Sequence, residues 1–350
     1  MEICEDNAQA VGVKAPKILH ITNRRSQIAT DGPFAAALRE LGELVLVEQA
    51  RELNDEEVLE LMRGADVLVT NWATRRIPDG LAQDAGRLRY ILNIGGTCNA
   101  VVPIELIRSG IPVTNWGDTP ARAVAEGAMA LLLAVMKDLR GRTEGVLAGK
   151  AWGAGRLGLA SGTLNGLKLG IYGCGVIGQR FIKQVSAFES ELSVYDPYAK
   201  ELPDGCRKVD SLDALFAENE AVVVWAGLSD ETRGSVNAER LAMLPDGAII
   251  INAARGEIID QEALFAELRS GRLRAGLDVL VDDDYLPEGH EAHTWPNLLI
   301  TCHDINSAHW PKRPPQLGYG DHVALDNLKR FIADEPLQFV MDEARYLLSS

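Results

Sequence analysis

The sequence predicts an α/β protein of two domains, each a doubly wound parallel sheet with helices on both faces. Three observations carry that prediction. The chain has 350 residues, room for two domains at roughly 100–200 residues each. Short apolar runs alternate with helical runs up to Trp116, and such alternation is the mark of a parallel sheet. After a glycine-rich stretch opening at Gly149, the alternation restarts at Leu167.

In the first domain KILHIT reads as a strand, FAAALRELG as a helix with a glycine stop, and ELVLVE as a strand. DEEVLELMRG is a helix opening on acids, and ADVLVTNW, RLRYILNIGG and IPVTNW are further strands. The run from Pro120 to Gly141 is expected to be one helix, with proline at its start and glycine at its end. It is apolar nearly all round, so it should be buried, in a core or between domains. From Leu167 the second domain shows about six strands, among them LKLGIYG, ELSVYD, AVVVWAG, GAIIINAA, AGLDVL and NLLITCH. The closing stretch from Gly320 is mainly helical.

Composition narrows the function. Fifty acidic residues against 35 basic ones leave a net charge of −15, which argues against nucleic acid or anionic membrane as the main partner. No apolar run approaches the ~20 residues that cross a bilayer, and MEICEDNAQAVGVKAPK does not look like a secretory leader. The five cysteines are scattered and include no CxxC pair. Neither a disulfide framework nor a metal site is expected, and a reducing cytoplasm fits best.

The strongest local signal is Gly173-x-Gly175-x-x-Gly178, set between an apolar strand and a helix. Gly173 permits a tight turn, Gly175 lets the backbone approach a pyrophosphate, and Gly178 lets helix and sheet pack closely. The helix opening at Val176 and Ile177 would offer its N–H groups to the phosphates. The next strand ends on Asp196, close to the expected spacing of about 20 residues past the last glycine. A carboxylate there accepts from ribose hydroxyls and repels a 2′-phosphate, so NAD is expected over NADP.

With these motifs the sequence resembles the D-isomer-specific 2-hydroxyacid dehydrogenases over about residues 60 to 310. The likeness lies in GIPVTNWGDTPARAVAEGAMALLLAVMKDLR, LGIYGCGVIGQR, VYDPY, the block from LSDETRG to DQEAL, LDV and PNLLITCH. It implies a Rossmann nucleotide domain at residues 121–310, inserted into a discontinuous flavodoxin-like substrate domain of residues 1–120 plus 311–350. It also implies a homodimer, an active site in the cleft, and hydride transfer between NAD and C2 of a small 2-keto or 2-hydroxy acid.

That chemistry needs a proton donor of near-neutral pKa, a guanidinium to orient the carboxylate and polarise the carbonyl, and a carboxylate to hold the acid–base group. The resemblance assigns these roles to His303, to Arg255 and to an aspartate in LVDDDYLP. Taken alone, a histidine at a strand end is more often structural, and Arg255 could form a surface salt bridge. Arg255 nonetheless follows the apolar strand AIIIN directly, where open α/β sheets place ligands. The family's glutamate–proline pair is missing; its place falls to Asp284, or to Asp283 by the count from Asp278. Ala254 and Asp278 match cofactor-binding positions, and Gly95 and Gly96 match the loop that holds the substrate carboxylate, or form a plain turn. Cys302 replaces the family's proline before the histidine. Trp72, Trp116 and Trp310 either shape the substrate pocket or serve packing. The missing glutamate also motivates a rival reading, an NAD(H)-sensing binding protein of the same fold with reduced catalysis.

Overall fold

The computed structural model describes residues 15–23, 32–48, 50–150, 161–281, 285–301, 303–305 and 317–348. The chain divides into two compact units, Met1–Thr119 with Lys312–Ser349 and Pro120–Pro311.

The first unit holds β1 (Lys17–Ile21), β2 (Glu43–Val47), β3 (Val67–Thr70), β4 (Tyr90–Asn93) and β5 (Val113–Thr114). They pair in the order β2-β1-β3-β4-β5, all parallel. Side chains alternate across a strand, so each strand serves two cores. Leu68 and Ile91 join Leu19 and Val58 on one face; Val67, Val69, Tyr90 and Leu92 face Leu325 and Leu328 on the other. Leu325 and Leu328 belong to the helix Tyr319–Ile332. The C-terminal segment is tied to the sheet by Met341 N–H donating to Val113 O (2.8 Å) and the Tyr346 hydroxyl donating to Val102 O (2.7 Å). Asp66, just before β3, accepts from Lys17 N–H (2.9 Å) and from Arg87 Nη2 (2.8 Å).

The second unit holds β6 (Lys168–Tyr172), β7 (Glu191–Tyr195), β8 (Cys206–Lys208), β9 (Ala221–Val224), β10 (Ile249–Asn252), β11 (Arg274–Leu277) and β12 (Leu298–Ile300). All pair in parallel, in the order β12-β11-β10-β9-β6-β7-β8. The order reverses between β6 and β9, the switch point where doubly wound sheets bind ligands at their carboxyl ends. The sheet has one strand more than the apolar runs foretell. β8 has three residues, none of them fully buried, so it carries no hydrophobic signal.

The helical run after Pro120 differs from the expected single helix. One helix covers Ala121–Met136 and a second Leu139–Leu147. Asp138 sits between them with φ 49°, and its carboxylate accepts from Gly141 N–H (3.2 Å). Aspartate tolerates the left-handed region and caps a new helix, so the chain turns there. The first helix packs on the seven-stranded sheet beside the helix Val176–Val185. A Cβ at Gly276 of β11 would lie 3.3 Å from Leu131 Cβ, so that contact depends on the small residue.

Candidate active site and nucleotide cradle

The glycine turn begins where β6 ends. Gly173 has φ 96°, and a Cβ there would lie 2.6 Å from Ala226 N. Its N–H donates to Tyr195 O (2.9 Å), while Trp225 N–H donates to Tyr172 O (2.6 Å), so the turn is held from β7 and from β9. A Cβ at Gly178 would lie 2.4 Å from Gly173 O. Gly175 is different: among the described residues nothing lies within 4 Å of its Cβ position. Two glycines thus serve the protein's own packing, and the middle one keeps an open approach to the backbone. Behind it the helix Val176–Val185 presents first-turn N–H groups with no intrahelical acceptor, a ready site for a phosphate.

Asp196 closes the back of this cradle. Its carboxylate accepts from the N–H groups of Cys174 (2.7 Å), Tyr198 (2.8 Å) and Ala199 (3.0 Å). Across the switch point the Tyr198 hydroxyl donates to Glu231 (2.9 Å), setting a second carboxylate nearby. Burial pushes the Cys174 thiol up to about 11, so it stays protonated and unreactive. The open turn, the helix N-terminus and the anchored carboxylate fit the pyrophosphate and ribose of a dinucleotide.

The next three strand ends form one constellation. Buried Asn252 closes β10: its Oδ1 accepts from Ala254 N–H (3.0 Å) and its Nδ2 donates to Arg255 O (2.9 Å). Arg255 also donates from Nη1 to Ala254 O (2.7 Å). A Cβ at Gly256 would lie 2.2 Å from Leu280 C, so the Arg255 turn is locked against the chain leaving β11. Beyond the strands the backbone bonding continues, with Asp278 N–H donating to Asn252 O (2.8 Å) and His303 N–H donating to Asp278 O (2.8 Å). Arg255, Asp278 and His303 are therefore set by the adjacent ends of β10, β11 and β12.

His303 has φ 53° and an exposed side chain. Histidine is one of the few residues enriched in this region, and backbone strain of this kind clusters at functional sites. Buried Asp278 supports it, its Oδ1 accepting from the Thr301 hydroxyl (2.6 Å) and from Ile305 N–H (3.3 Å). Burial raises the Asp278 carboxyl above its ordinary value, against the pull of Thr301, the His303 charge and the N–H groups of Ile305 and Asp304. Helix Ala121–Met136 approaches the same loop: a Cβ at Gly127 would lie 2.5 Å from Ile305 Cγ1 and 2.6 Å from Ile305 O. Asp283, Asp284, Cys302 and Trp310 lie outside the described residues. Among the described residues no group of three His, Cys, Asp or Glu side chains could hold a metal.

In the first unit Gly95 and Gly96 follow β4, between Asn71-Trp72 after β3 and Asn115-Trp116 after β5. Asn93 Nδ2 donates to Gly95 O (3.3 Å) and Thr97 O (3.1 Å), and Asn115 Nδ2 donates to Gly96 O. Among the described residues neither glycine N–H finds an acceptor. The loop thus has carbonyls pinned from behind and two N–H groups left to bond elsewhere. The sequence reading passed over Asn93, Asn115, Asn252 and Thr301. Their signal was the polar residue that ends an apolar run.

Residues 129–304 match the sequence model of the D-isomer specific 2-hydroxyacid dehydrogenase NAD binding domain. D-3-phosphoglycerate dehydrogenase of Methanocaldococcus jannaschii is 32% identical over 79% of this chain and 52% of the relative, so the chain spans about half of its length. Hydroxypyruvate reductase of Thermotoga maritima is 35% identical over 66% of this chain and 74% of its own. Among solved structures, the NADPH-dependent glyoxylate/hydroxypyruvate reductase of Sinorhizobium meliloti in complex with citrate superposes with a TM-score of 0.77 at 25% identity, over 95% of this chain and 98% of that one.

Proposed function

Because the chain belongs to the D-isomer-specific 2-hydroxyacid dehydrogenases, we propose that it reduces a 2-keto acid to the D-2-hydroxy acid at the expense of NADH. Bound nicotinamide would supply the hydride to C2. His303 donates the proton to the forming alkoxide and takes it back in the reverse direction, the acid–base role an imidazole fills. Arg255 holds the substrate carboxylate with its planar fork and polarises the carbonyl. Asp284, or Asp283 beside it, holds the far side of the imidazole. Gly95 and Gly96 give their N–H groups to the carboxylate. Gly173, Gly175, Val176, Ile177, Gly178, Asp196, Ala254 and Asp278 form the cofactor site, and Asp196 with Glu231 favours NADH over NADPH through repulsion of a 2′-phosphate. A homodimer in a reducing cytoplasm completes the reading.

The observation that carries the proposal is the meeting of Arg255, Asp278 and His303 at adjacent strand ends, on the same sheet edge as the glycine turn. The test is NADH oxidation with glyoxylate, hydroxypyruvate and larger 2-keto acids, with NADPH compared. His303→Gln should lower kcat by about 10²–10⁴-fold while the Kd for NADH stays constant. Tight NADH binding with no turnover of any 2-keto acid would overturn the reductase reading in favour of a nucleotide sensor.

A further inference from the structure

Trp72 is 54% exposed, although it is among the largest apolar side chains in the protein. A solitary exposed aromatic needs no explanation, but Trp72 is not solitary. Its ring meets that of Trp116 edge-on, with centroids 5.3 Å apart and planes at 79°. Trp116 is a fixed support. Its N–H donates to Gly95 O (3.1 Å), and a Cβ at Gly320 would come within 2.4 Å of its indole. Among the described residues its Nε1 is buried without a partner, an arrangement that a phenylalanine or leucine would make at lower cost. The two tryptophans each close the same tripeptide, Thr-Asn-Trp, at the ends of β3 and β5, on either side of the Gly95–Gly96 loop that follows β4. A Cβ at Gly95 would lie 3.3 Å from Trp72 Cε2, whereas among the described residues nothing lies within 4 Å of that position at Gly96. The indole is therefore in van der Waals reach of the loop, and the Cβ position at Gly96 is open.

We infer that the exposed face of Trp72, braced by Trp116, is the wall against which the C3 substituent of the substrate packs, and that the protein prefers 2-keto acids bearing a flat or bulky apolar group over glyoxylate. This rests on the reading of the protein as a 2-keto acid reductase whose Gly95 and Gly96 N–H groups hold the carboxylate. With C1 at the loop, C3 lies only two bonds further along the substrate, close to the indole that touches the loop, whereas glyoxylate has no C3 to place there. Flat rings gain most from such a surface, by offset or edge-on stacking.

The experiment measures kcat/KM for phenylpyruvate and for glyoxylate with NADH, for the wild type and for Trp72→Ala and Trp72→Phe. The wild type should favour phenylpyruvate. That preference should fall about tenfold or more in Trp72→Ala, mainly through KM, as loss of apolar pocket contacts does. Trp72→Phe should keep most of it. A wild type that favours glyoxylate, or a preference unchanged in Trp72→Ala, would overturn the inference and leave the reductase reading intact. Turnover of neither acid while another 2-keto acid is reduced would overturn the inference alone; turnover of no 2-keto acid, despite NADH binding, would sink the reductase reading and the inference with it.

Discussion

Gly175 and Gly178 share one turn, yet a side chain at each would meet different things. At Gly175 the φ of −69° suits any residue and the Cβ position is open. Gly175→Val should therefore change stability by less than about 0.5 kcal/mol, yet raise the Kd for NADH by about tenfold or more, because the methyls occupy the pyrophosphate's approach. At Gly178 the Cβ would meet Gly173 O at 2.4 Å. Gly178→Val should cost about 1–3 kcal/mol from overpacking, whether or not NADH is present. Thermal unfolding and a fluorescence titration with NADH separate the two effects. Equal loss of stability in both variants would contradict this division of labour.

Among the elements, the helix Ala121–Met136 bears most directly on chemistry, because Gly127 lets it lie against Ile305 O. Alanine there improves helix propensity by about 1 kcal/mol, but its Cβ must displace the loop that carries His303. Gly127→Ala is expected to lower kcat several-fold while the Kd for NADH holds, as steady-state kinetics beside a binding titration would check; an unchanged kcat would show the loop to be tolerant. What could be read in advance follows from the kind of signal each element has. The strands β6, β9 and β10 are short apolar runs bounded by turn residues, and the pattern rule finds them. β8 is polar and exists because β7 has an edge to pair with, a fact of three dimensions. The break at Asp138 depends on one residue's backbone angle inside a run that is otherwise good helix. Arg255 and His303 stand out in the sequence through the family resemblance; alone, a histidine at a strand end reads as structural. The Asn252 clamp acts through main-chain bonds, which leave no periodic trace.

For the molecule as a whole, two buried carboxylates give the units opposite responses to pH. Burial pushes Asp66 up, but Lys17 N–H and the Arg87 guanidinium outweigh it, and its carboxyl lies below the ordinary 3.8. Its contribution to the first unit is present above that value and is lost as pH falls through the depressed one. Asp278 is raised above 3.8, chiefly by burial. Its contribution to the second unit is complete below 3.8 and is lost as pH rises through the raised value. Urea unfolding of Asp66→Asn and Asp278→Asn against the parent, over about pH 3 to 7, should show the parent's advantage growing with pH in the first comparison and shrinking in the second. Parallel trends would refute the assignment of causes.

The split of the first unit between the two ends of the sequence has a consequence for how the protein is made. Its sheet leaves the ribosome well before Leu325 and Leu328, which cover the face of Val67, Val69, Tyr90 and Leu92. Residues 120–311 are contiguous and can fold while that face still waits, bare, for its helix. A chain stopped at Pro311 should then yield a protease-resistant, NADH-binding core that begins near Pro120, joined to an N-terminal segment that aggregates. Stalled translation would be more hazardous to this protein than its finished stability suggests.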